Sequence, residues 1–396
     1  MIGFAFFATI INYLDRQALS VVAPLLTEKF GMSNEAYGLV ISAFMLAYTI
    51  SNGVSGPLID RLGTRLGYAL CMAVWSTAGL LHALATGAWS LGAYRFVLGI
   101  GEAGNWPAGS KVAAEWFPDR ERALACGIFN SGSAIGAIVA PTLMVWLVKA
   151  FGWQWAFVIV GLTGYAWIAG WWAVYRTPPQ PRAEAAAPPA PAWRLFCTRF
   201  TSVLMLAKIF LDPVWYFYIF WFPKYLSTVH HFDLGMIART AGVPFVAAGL
   251  GNFAGGGLTA WLLRRGLPVS RARKTAIAVF VLLMCAGMPA AFASDASVAI
   301  AWVCVATFGY TGYNANALAL APDVFPKANA ASVWGLASMG AGLGGLIFNP
   351  ITGSTIDRHG YTPVFIGYGV MPLIALALIL LALGPLKPHP KFQAPA

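Results

Sequence analysis

Charged residues are scarce in this chain, and their scarcity excludes an ordinary soluble protein. Asp, Glu, Lys and Arg make up only 10% of the 396 residues, whereas soluble domains carry about a quarter. Hydrophobic residues make up 59%. The composition therefore predicts an all-α polytopic membrane protein, because long apolar helices need the bilayer as their solvent.

Metal, redox and nucleotide motifs are also missing. The five cysteines are scattered without a CxxC pair, which predicts buried small side chains and no metal site. Gly99, Gly101 and Gly104 follow no strand, so we interpret them as close-packing residues and not as a phosphate loop. We expect no metal and no cofactor.

The net charge of +11 does not indicate a nucleic-acid partner, because the basic residues sit in and beside short loops between apolar segments. The loops and helix ends on one side hold 16 Lys and Arg, and those on the other side hold 5. This excess predicts that both termini are cytoplasmic. No basic region precedes the first apolar segment, which Asp15 and Arg16 interrupt, so we predict no signal peptide.

Twelve apolar windows are long enough to cross a bilayer. These predicted spans are 2–26, 35–58, 67–86, 90–113, 121–149, 153–175, 200–227, 237–262, 275–293, 297–322, 330–355 and 362–384. Between the sixth and the seventh lies a Pro- and Ala-rich stretch that cannot build a core. We therefore predict a six-helix bundle at 1–175, a cytoplasmic linker at 176–199 and a second six-helix bundle at 200–396.

The two halves repeat each other at a constant offset of 208 residues. The shift superimposes glycines 101, 104, 127, 132, 136 and 152 on glycines 309, 312, 335, 340, 344 and 360. Parallel repeats in a membrane protein predict a transported ligand near the bilayer midplane, between the halves.

Four ionisable residues stand in the middle of apolar spans: Asp15, Arg16, Arg95 and Glu102. A charge at the centre of a membrane helix costs roughly 2.5–3.5 kcal/mol. Arg95 and Glu102 are seven residues apart, about 10 Å along one face of a helix. A guanidinium matches a carboxylate in a bidentate fashion and stays charged.

These four groups suggest reciprocal coupling between an anion and protons. An anion that occupies an arginine weakens the hold of that arginine on a neighbouring carboxylate, which then protonates more readily. The alternative is a purely structural network of buried ion pairs.

The segment 56–65 closes the second span. It has the order Gly56, three residues, Asp60-Arg61, one residue, Gly63 and then Arg65. This order resembles the loop signature of the major facilitator superfamily, and the resemblance implies a conformational lock formed by these five residues. The corresponding loop at 257–266 is degraded, with Trp261 in the place of the Asp.

A narrower resemblance covers nearly the whole chain. Residues 12–20, 95–107, 115–122, 129–136, 212–218 and 323–326 are similar to the anion:cation symporters, and most of all to bacterial hexuronate transporters. The resemblance implies that Asp15 and Glu102 carry protons as the coupling ion and that Arg16 binds the substrate carboxylate. It also adds Tyr48, and within the quoted motifs we include Tyr13 and Ser133 as substrate-binding candidates.

The second half keeps the glycines of the repeat but not the charges. The shift of 208 places Val303 opposite Arg95 and Tyr310 opposite Glu102. We hypothesise that neutral groups of this half read sugar hydroxyls, which both donate and accept hydrogen bonds. The candidates are Trp215, Tyr216, Tyr313, Asn314 and Asn316. For the asparagines the alternative is hydrogen bonding between helices. Lys208 and Asp212, four residues apart, are expected to pair locally.

Together these observations predict a proton-coupled symporter that imports a small carboxylate, most simply a hexuronate such as galacturonate or glucuronate. We expect a monomer in a bacterial inner membrane, with Arg95 either binding substrate or tuning the two acids. The nearer alternative is an aldonate, an aromatic acid or another organic anion. The distant alternative is a polytopic membrane enzyme, for which we find no nucleophile or metal constellation in the sequence.

Overall fold

The computed structural model describes residues 1–117, 119–176, 192–325, 327–384 and 386, and every regular element among them is helical. The α-helices are α1 (Ile2–Lys29), α2 (Asn34–Leu62), α3 (Thr64–Leu81), α4 (Ala88–Glu102), α5 (Asn105–Trp116), α6 (Asp119–Phe151), α7 (Trp153–Val174), α8 (Ala192–Phe196), α9 (Arg199–Phe220), α10 (Phe222–His230), α11 (Leu234–Thr240), α12 (Val243–Arg264), α13 (Val269–Met284), α14 (Ala296–Val324), α15 (Lys327–His359) and α16 (Thr362–Ala377). Short 3₁₀ turns at His82–Leu84 and Cys285–Phe292 and a π turn at Leu378–Ala382 extend three of them. The predicted all-α class is confirmed.

Each of the twelve predicted spans falls on helical structure. Among the described residues, nine helical segments are long and apolar enough to cross a membrane. The other three predicted spans, at 2–26, 90–113 and 330–355, form α1, α4 with α5, and α15. Two of these three contain the four ionisable residues, and the fourth span is divided between α4, with 15 residues, and α5, with 12. Most of the predicted linker at 176–199 lies outside the described residues.

Three spans that the sequence presents as continuous are interrupted. The fourth breaks between α4 and α5, the seventh between α9 and α10, and the eighth between α11 and α12. In each case a proline lies in the first turn of the following helix: Pro107, Pro223 and Pro244. Proline lacks an N–H, and the first helical turn is where that donor has no intrahelical partner. A helix therefore restarts readily at these positions.

The chain divides into two compact units. Unit 1 comprises Met1–Pro181, Ile219–Gly242 and Leu346–Arg358. Its centre is α1, which packs along α6, because Gly132 and Gly136 let the α6 backbone approach the carbonyls of Phe6 and Ile10. Helices α2, α3, α4 and α7 complete the packing on the other sides.

Unit 1 also contains two segments from the second half of the sequence. The Tyr37 hydroxyl of α2 donates to the carbonyl of Phe220 (2.8 Å). Asp357 accepts hydrogen bonds at the beginning of α2, from the backbone amides of Asn34 (3.1 Å) and Glu35 (2.9 Å). Contacts therefore group the chain differently from the predicted boundaries at 175 and 200, which remain a sequence-level prediction.

Unit 2 comprises Arg182–Tyr218, Val243–Gly345 and His359–Ala396. Helix α14 lies against both α12 and α13. Gly251 and Gly255 bring α12 against the α14 backbone, and Gly309 brings α14 against α13 at Phe280. Gly340 and Gly344 of α15 face the α9 carbonyls of Met205 and Ile209.

We expect Gly101→Ala to destabilise unit 1 by about 1–3 kcal/mol, since overpacking forces the backbone to move. A methyl group at this position would lie 2.5 Å from the backbone nitrogen of Trp75. The matched control is Gly127→Ala, inside α6, where nothing lies within 4 Å of the added carbon. The control should gain about 0.5–1 kcal/mol from lower chain entropy. Thermal unfolding in detergent measures both, and equal melting temperatures would contradict this account.

The contact between Asp357 and α2 should depend on pH. Burial would raise the pKa of this carboxyl, which lies beyond the predicted span at 330–355. Three hydrogen bonds and one charge outweigh burial and hold the pKa of Asp357 below its usual value. The hydrogen bonds come from the Glu35 amide and from the Asn34 side chain and amide, and the charge is that of Lys224. A depressed pKa stabilises the fold above the ordinary Asp pKa, about 4, and this stabilisation disappears as the pH falls through the folded pKa.

Asp357→Asn should therefore lower the unfolding free energy at pH 7 by about 0.3–1 kcal/mol, because it removes a negative charge from the beginning of α2. The difference from wild type should shrink below pH 4. Melting curves at pH 7 and pH 3 measure it. A difference that grows as the pH falls would show that the sign is wrong.

Candidate substrate and proton site

A buried ion pair joins α1 to the end of α4. The Arg16 guanidinium approaches Glu102 Oε2 through Nη2 at 2.8 Å, and its Nε donates to the same oxygen at 2.9 Å. The two side chains are 5% and 0% exposed. Glu102 is the last residue of α4, directly before the interruption of the fourth span. An irregular backbone beside buried charge is typical of ligand sites in membrane transport proteins.

Three aromatic rings surround the Arg16 guanidinium. Its carbon lies 5.3 Å from the Tyr13 ring centroid, 5.3 Å from that of Phe44 and 5.0 Å from that of Tyr48. Phe44 and Tyr48 also stack on each other, with their centroids 5.5 Å apart. Ring faces stabilise a cation without neutralising it. The guanidinium is thus held in place while it remains able to bind an anion.

Asp15 and Arg95 complete the charged cluster. Arg95 Nη1 donates to the Arg16 carbonyl at 3.1 Å, and Arg95 is 2% exposed. It interacts electrostatically with both Asp15 and Glu102. Asp15 Oδ1 lies against Gly79 of α3, where a side chain would collide with it. The cluster therefore contains two acids and two guanidinium groups.

Part of this cluster makes no hydrogen bond to the described part of the chain. The buried atoms without such a bond are Asp15 Oδ2, Glu102 Oε1, and Oδ1 and Nδ2 of Asn12. Buried polar groups normally have partners. These groups are consequently available to a proton, a water molecule or a ligand.

Sequence reasoning identified the four charged residues of this site but did not single out Phe44 or Asn12. Phe44 lies one helical turn before Tyr48, so their spacing carried a weak signal. Ser133, on α6, is a hydrogen-bond partner of the Tyr13 hydroxyl, and it donates to the Asn130 carbonyl at 2.7 Å. Tyr13 and Tyr48 thus lie around Arg16, and Ser133 contacts Tyr13. Their role in substrate binding stays a prediction.

The candidate residues of the second half differ from one another in burial and in their contacts. Trp215 stacks on Tyr310 with centroids 4.9 Å apart and an angle of 9° between the planes. Tyr313 is fully buried, whereas Tyr216 and Asn314 are half-buried. Asn316 of α14 accepts a hydrogen bond from the Thr259 hydroxyl of α12 and donates to the Gly255 carbonyl of α12 (3.0 Å). Its amide also donates to the Gly312 carbonyl, one turn earlier on α14 (3.0 Å). For Asn316, the structure matches the alternative of hydrogen bonding between helices.

Unit 2 also contains a buried ion pair. Lys208 Nζ lies 3.0 Å from Asp212 Oδ2 and 3.2 Å from Oδ1, and the two residues are 2% and 3% exposed. The local pairing predicted from their spacing is present. The spacing did not indicate that the Tyr310 hydroxyl of α14 donates to Asp212 Oδ1 at 2.6 Å. The second half therefore retains charge, although on a different span from Glu102.

The proposed lock lies at the junction of α2 and α3. Gly63 has a φ of 78°, a conformation that favours glycine. Arg65 packs over the Trp172 ring at 4.7 Å and donates to the Trp172 carbonyl at 2.7 Å. Gly56 and Arg61 lie on the last turns of α2, and the Asp60 side chain lies outside the described part of the structure. The locking role of these residues stays a prediction.

Chemically, the cluster around Arg16 is suited to exchange of partners. A carboxylate that approaches Arg16 would compete with Glu102 for the same guanidinium. The displaced glutamate, in apolar surroundings, is more easily protonated than one paired with an arginine. The same arrangement can therefore bind an anion and take up a proton.

Comparison with known proteins gives three findings. A family model described as Major Facilitator Superfamily matches residues 5–333 and 269–396. The chain is 31% identical over 400 residues to the hexuronate transporter of Escherichia coli (strain K12), covering 96% of this chain and 92% of that one. It is 28% identical over 411 residues to the D-galactonate transporter of Escherichia coli O6:H1, covering 96% and 94%.

Among solved structures, the chain is similar to a bacterial homologue of the human lysosomal transporter Spinster, crystallised in an inward-facing and occupied conformation. The TM-score is 0.79 at 20% identity, over 100% of this chain and 98% of that one. At this identity the likeness establishes a shared fold.

The contribution of the Arg16–Glu102 ion pair to the stability of the fold can be measured with variants. Glu102→Leu should cost about 3–5 kcal/mol, because it leaves the Arg16 charge buried without its partner. The double variant Arg16→Met with Glu102→Leu should recover most of that loss, since well-packed apolar residues replace buried pairs at little cost. Melting temperatures of the purified proteins measure both effects. A double variant less stable than the single one would rule out this pairing.

Proposed function

Because this chain belongs to the Major Facilitator Superfamily, we propose that it is a secondary transporter that imports a sugar-acid anion together with protons. The proposed substrate is a hexuronate, galacturonate or glucuronate. The observation that carries the proposal is the buried Arg16–Glu102 pair inside its ring of Tyr13, Phe44 and Tyr48. Similarity to the hexuronate transporter of Escherichia coli supports the choice of substrate.

Protonation and binding are linked in the proposed cycle. Asp15 and Glu102 take up protons from outside, which releases Arg16 to receive the substrate carboxylate. Arg95, which holds the Arg16 carbonyl, keeps the guanidinium in position. The protein then opens to the inside, where substrate and protons leave. Each ligand favours binding of the other because both act on the same guanidinium–carboxylate contact.

The oligomeric state, membrane and orientation of the protein are part of the same proposal. We propose a monomer in the bacterial cytoplasmic membrane, with both termini cytoplasmic, as the distribution of Lys and Arg predicts. Its partners are the lipid bilayer, protons and a small carboxylate, without nucleic acid.

A second candidate substrate is an aldonate. Similarity to the D-galactonate transporter, with coverage of 96% of this chain, favours it. A hexuronate and an aldonate share the carboxylate and the hydroxyl groups and differ in whether the ring can close. Arg16 and the proton sites would serve both.

Uptake by proteoliposomes separates these possibilities. The purified full chain should accumulate galacturonate or glucuronate against its gradient when an inward proton gradient is imposed, and less well without one. Galactonate and benzoate tested in parallel decide between the substrates. Concentrative uptake that ignores the proton gradient would remove the coupling from the proposal.

Variants of the two acids should separate proton-driven uptake from counterflow exchange. Asp15→Asn and Glu102→Gln cannot release a proton at these positions, so each should abolish concentrative uptake and leave part of the counterflow exchange. Arg16→Ala should lose substrate binding, with an affinity at least about 10-fold weaker, as for loss of a charged hydrogen bond. The matched control is Glu28→Gln, an exposed acid on α1, which should leave both assays unchanged. Unaltered affinity in Arg16→Ala would refute its role as the carboxylate ligand.

A further inference from the structure

A short, well-packed turn joins α12 to α13 in unit 2. Four residues separate the two helices. Gly266, with a φ of 86°, reverses the chain between them. The Leu267 amide donates to the Leu262 carbonyl (3.2 Å), and both leucines pack with Ala272 beneath the turn. The side chains around this turn are therefore presented in a fixed arrangement.

Cations gather at this turn without acidic partners. The sequence has no acidic residue between Asp233 and Asp295. Arg273 pairs with Asp323 of α14 at 2.9 Å. Four further cations have no ion pair to any described residue, and they form what we call the basic patch: Arg264, Arg265, Arg271 and Lys274. The three arginines are exposed, and the lysine is half-buried.

A tryptophan borders the basic patch. Trp261 stands where the corresponding loop of the first half has Asp60. It lies in the last turn of α12, at the end of a helical segment apolar enough to cross a membrane, and is 48% exposed. The Arg265 guanidinium lies 4.9 Å from the centroid of its ring. Since tryptophan is enriched where apolar and aqueous regions meet, the basic patch lies at the level of the lipid headgroups.

An apolar surface continues from Trp261 towards the middle of the membrane. Leu250, Phe253 and Trp261 are exposed along one side of α12. Gly257 lies between them, and nothing is within 4 Å of the position that a side chain would take there. An acyl chain can therefore lie along this side of α12 while its headgroup reaches the basic patch.

The corresponding loop of the first half uses its cation inside the protein. Arg65 packs over the Trp172 ring and donates to the Trp172 carbonyl at 2.7 Å. The cations of the basic patch are instead turned outwards, where an anion from the surroundings can reach them. Phosphate oxygens are strong acceptors for guanidinium groups, and an anionic lipid surface attracts each Lys or Arg close to it.

We propose that the basic patch and Trp261 form a binding site for an anionic phospholipid. The headgroup phosphate lies among the guanidinium groups, and the acyl chains lie along α12. This inference does not depend on which anion is transported or on proton coupling. A basic loop that only fixes the orientation of the helices would instead be solvated and would show no preference between headgroups.

Native mass spectrometry of the purified full chain tests the site, because it counts bound lipids and gives their dissociation constants. The wild type should bind phosphatidylglycerol at least about 10-fold more tightly than phosphatidylcholine. Arg264→Gln with Arg265→Gln should weaken the binding of phosphatidylglycerol by about 10- to 30-fold, since each charge contributes roughly 5-fold. The binding of phosphatidylcholine should not change.

Trp261→Leu separates the ring from the charges. Leucine keeps an apolar side chain at this position but removes the ring beneath Arg265. The affinity for phosphatidylglycerol should fall by about 2- to 5-fold, as for loss of an exposed cation–π contact.

The matched control removes two other exposed cations on the same predicted side of the membrane. Arg176→Gln with Arg194→Gln should leave the affinity for phosphatidylglycerol as in wild type. Glycerol phosphate, which has the charge but no acyl chains, should not displace the lipid at equal concentration.

Three results would overturn the inference. A wild type that binds both lipids equally has no headgroup site. An equal loss of affinity in the control shows that binding follows total charge and not this turn. Displacement by glycerol phosphate assigns the basic patch to a soluble phosphate and not to a lipid.

Discussion

The buried ion pair between Arg16 and Glu102 is the interaction around which unit 1 is organised. Neither charge can remain in apolar surroundings without its partner, so the pair fixes the position of α1 against the end of α4. In the proposed transport cycle, the substrate carboxylate replaces Glu102 at this buried guanidinium. Stability and ligand binding therefore compete for the same group. This competition provides a physical route from binding to protonation.

The two units share a framework of glycines but differ in the groups that the framework presents. Close contacts at Gly132, Gly136, Gly340 and Gly344 set the distance between the paired helices in each unit. Side chains at equivalent positions then occupy equivalent places. An arginine and a glutamate that pair in unit 1 are matched by a tryptophan and a tyrosine that stack in unit 2.

Interrupted helices contribute to the site in unit 1. Glu102 ends α4 at a break, and Phe220 ends α9 at another. Phe220, Arg95, Phe44 and Tyr37 line the same narrow gap, so a residue from the second half of the sequence lies beside Arg95. Prolines in the following helical turns make these breaks inexpensive, because the missing N–H would have had no partner there. The breaks place helix ends next to the charged residues Arg95 and Glu102. Helix ends rearrange more easily than helix interiors.

The sequence by itself determined the class of protein, its twelve spans and the family, because hydropathy, repeated glycines and short motifs are local properties of the chain. It also identified Asp15, Arg16, Arg95 and Glu102, since a charge inside an apolar span is conspicuous whatever its neighbours. Only the tertiary structure decided the partners. It paired Arg16 with Glu102, placed Phe44 over the guanidinium, assigned Asn316 to contacts between helices and brought Tyr310 to Asp212. The physical reason is that pairing depends on distances between residues far apart in sequence, and packing of the helices alone sets those distances.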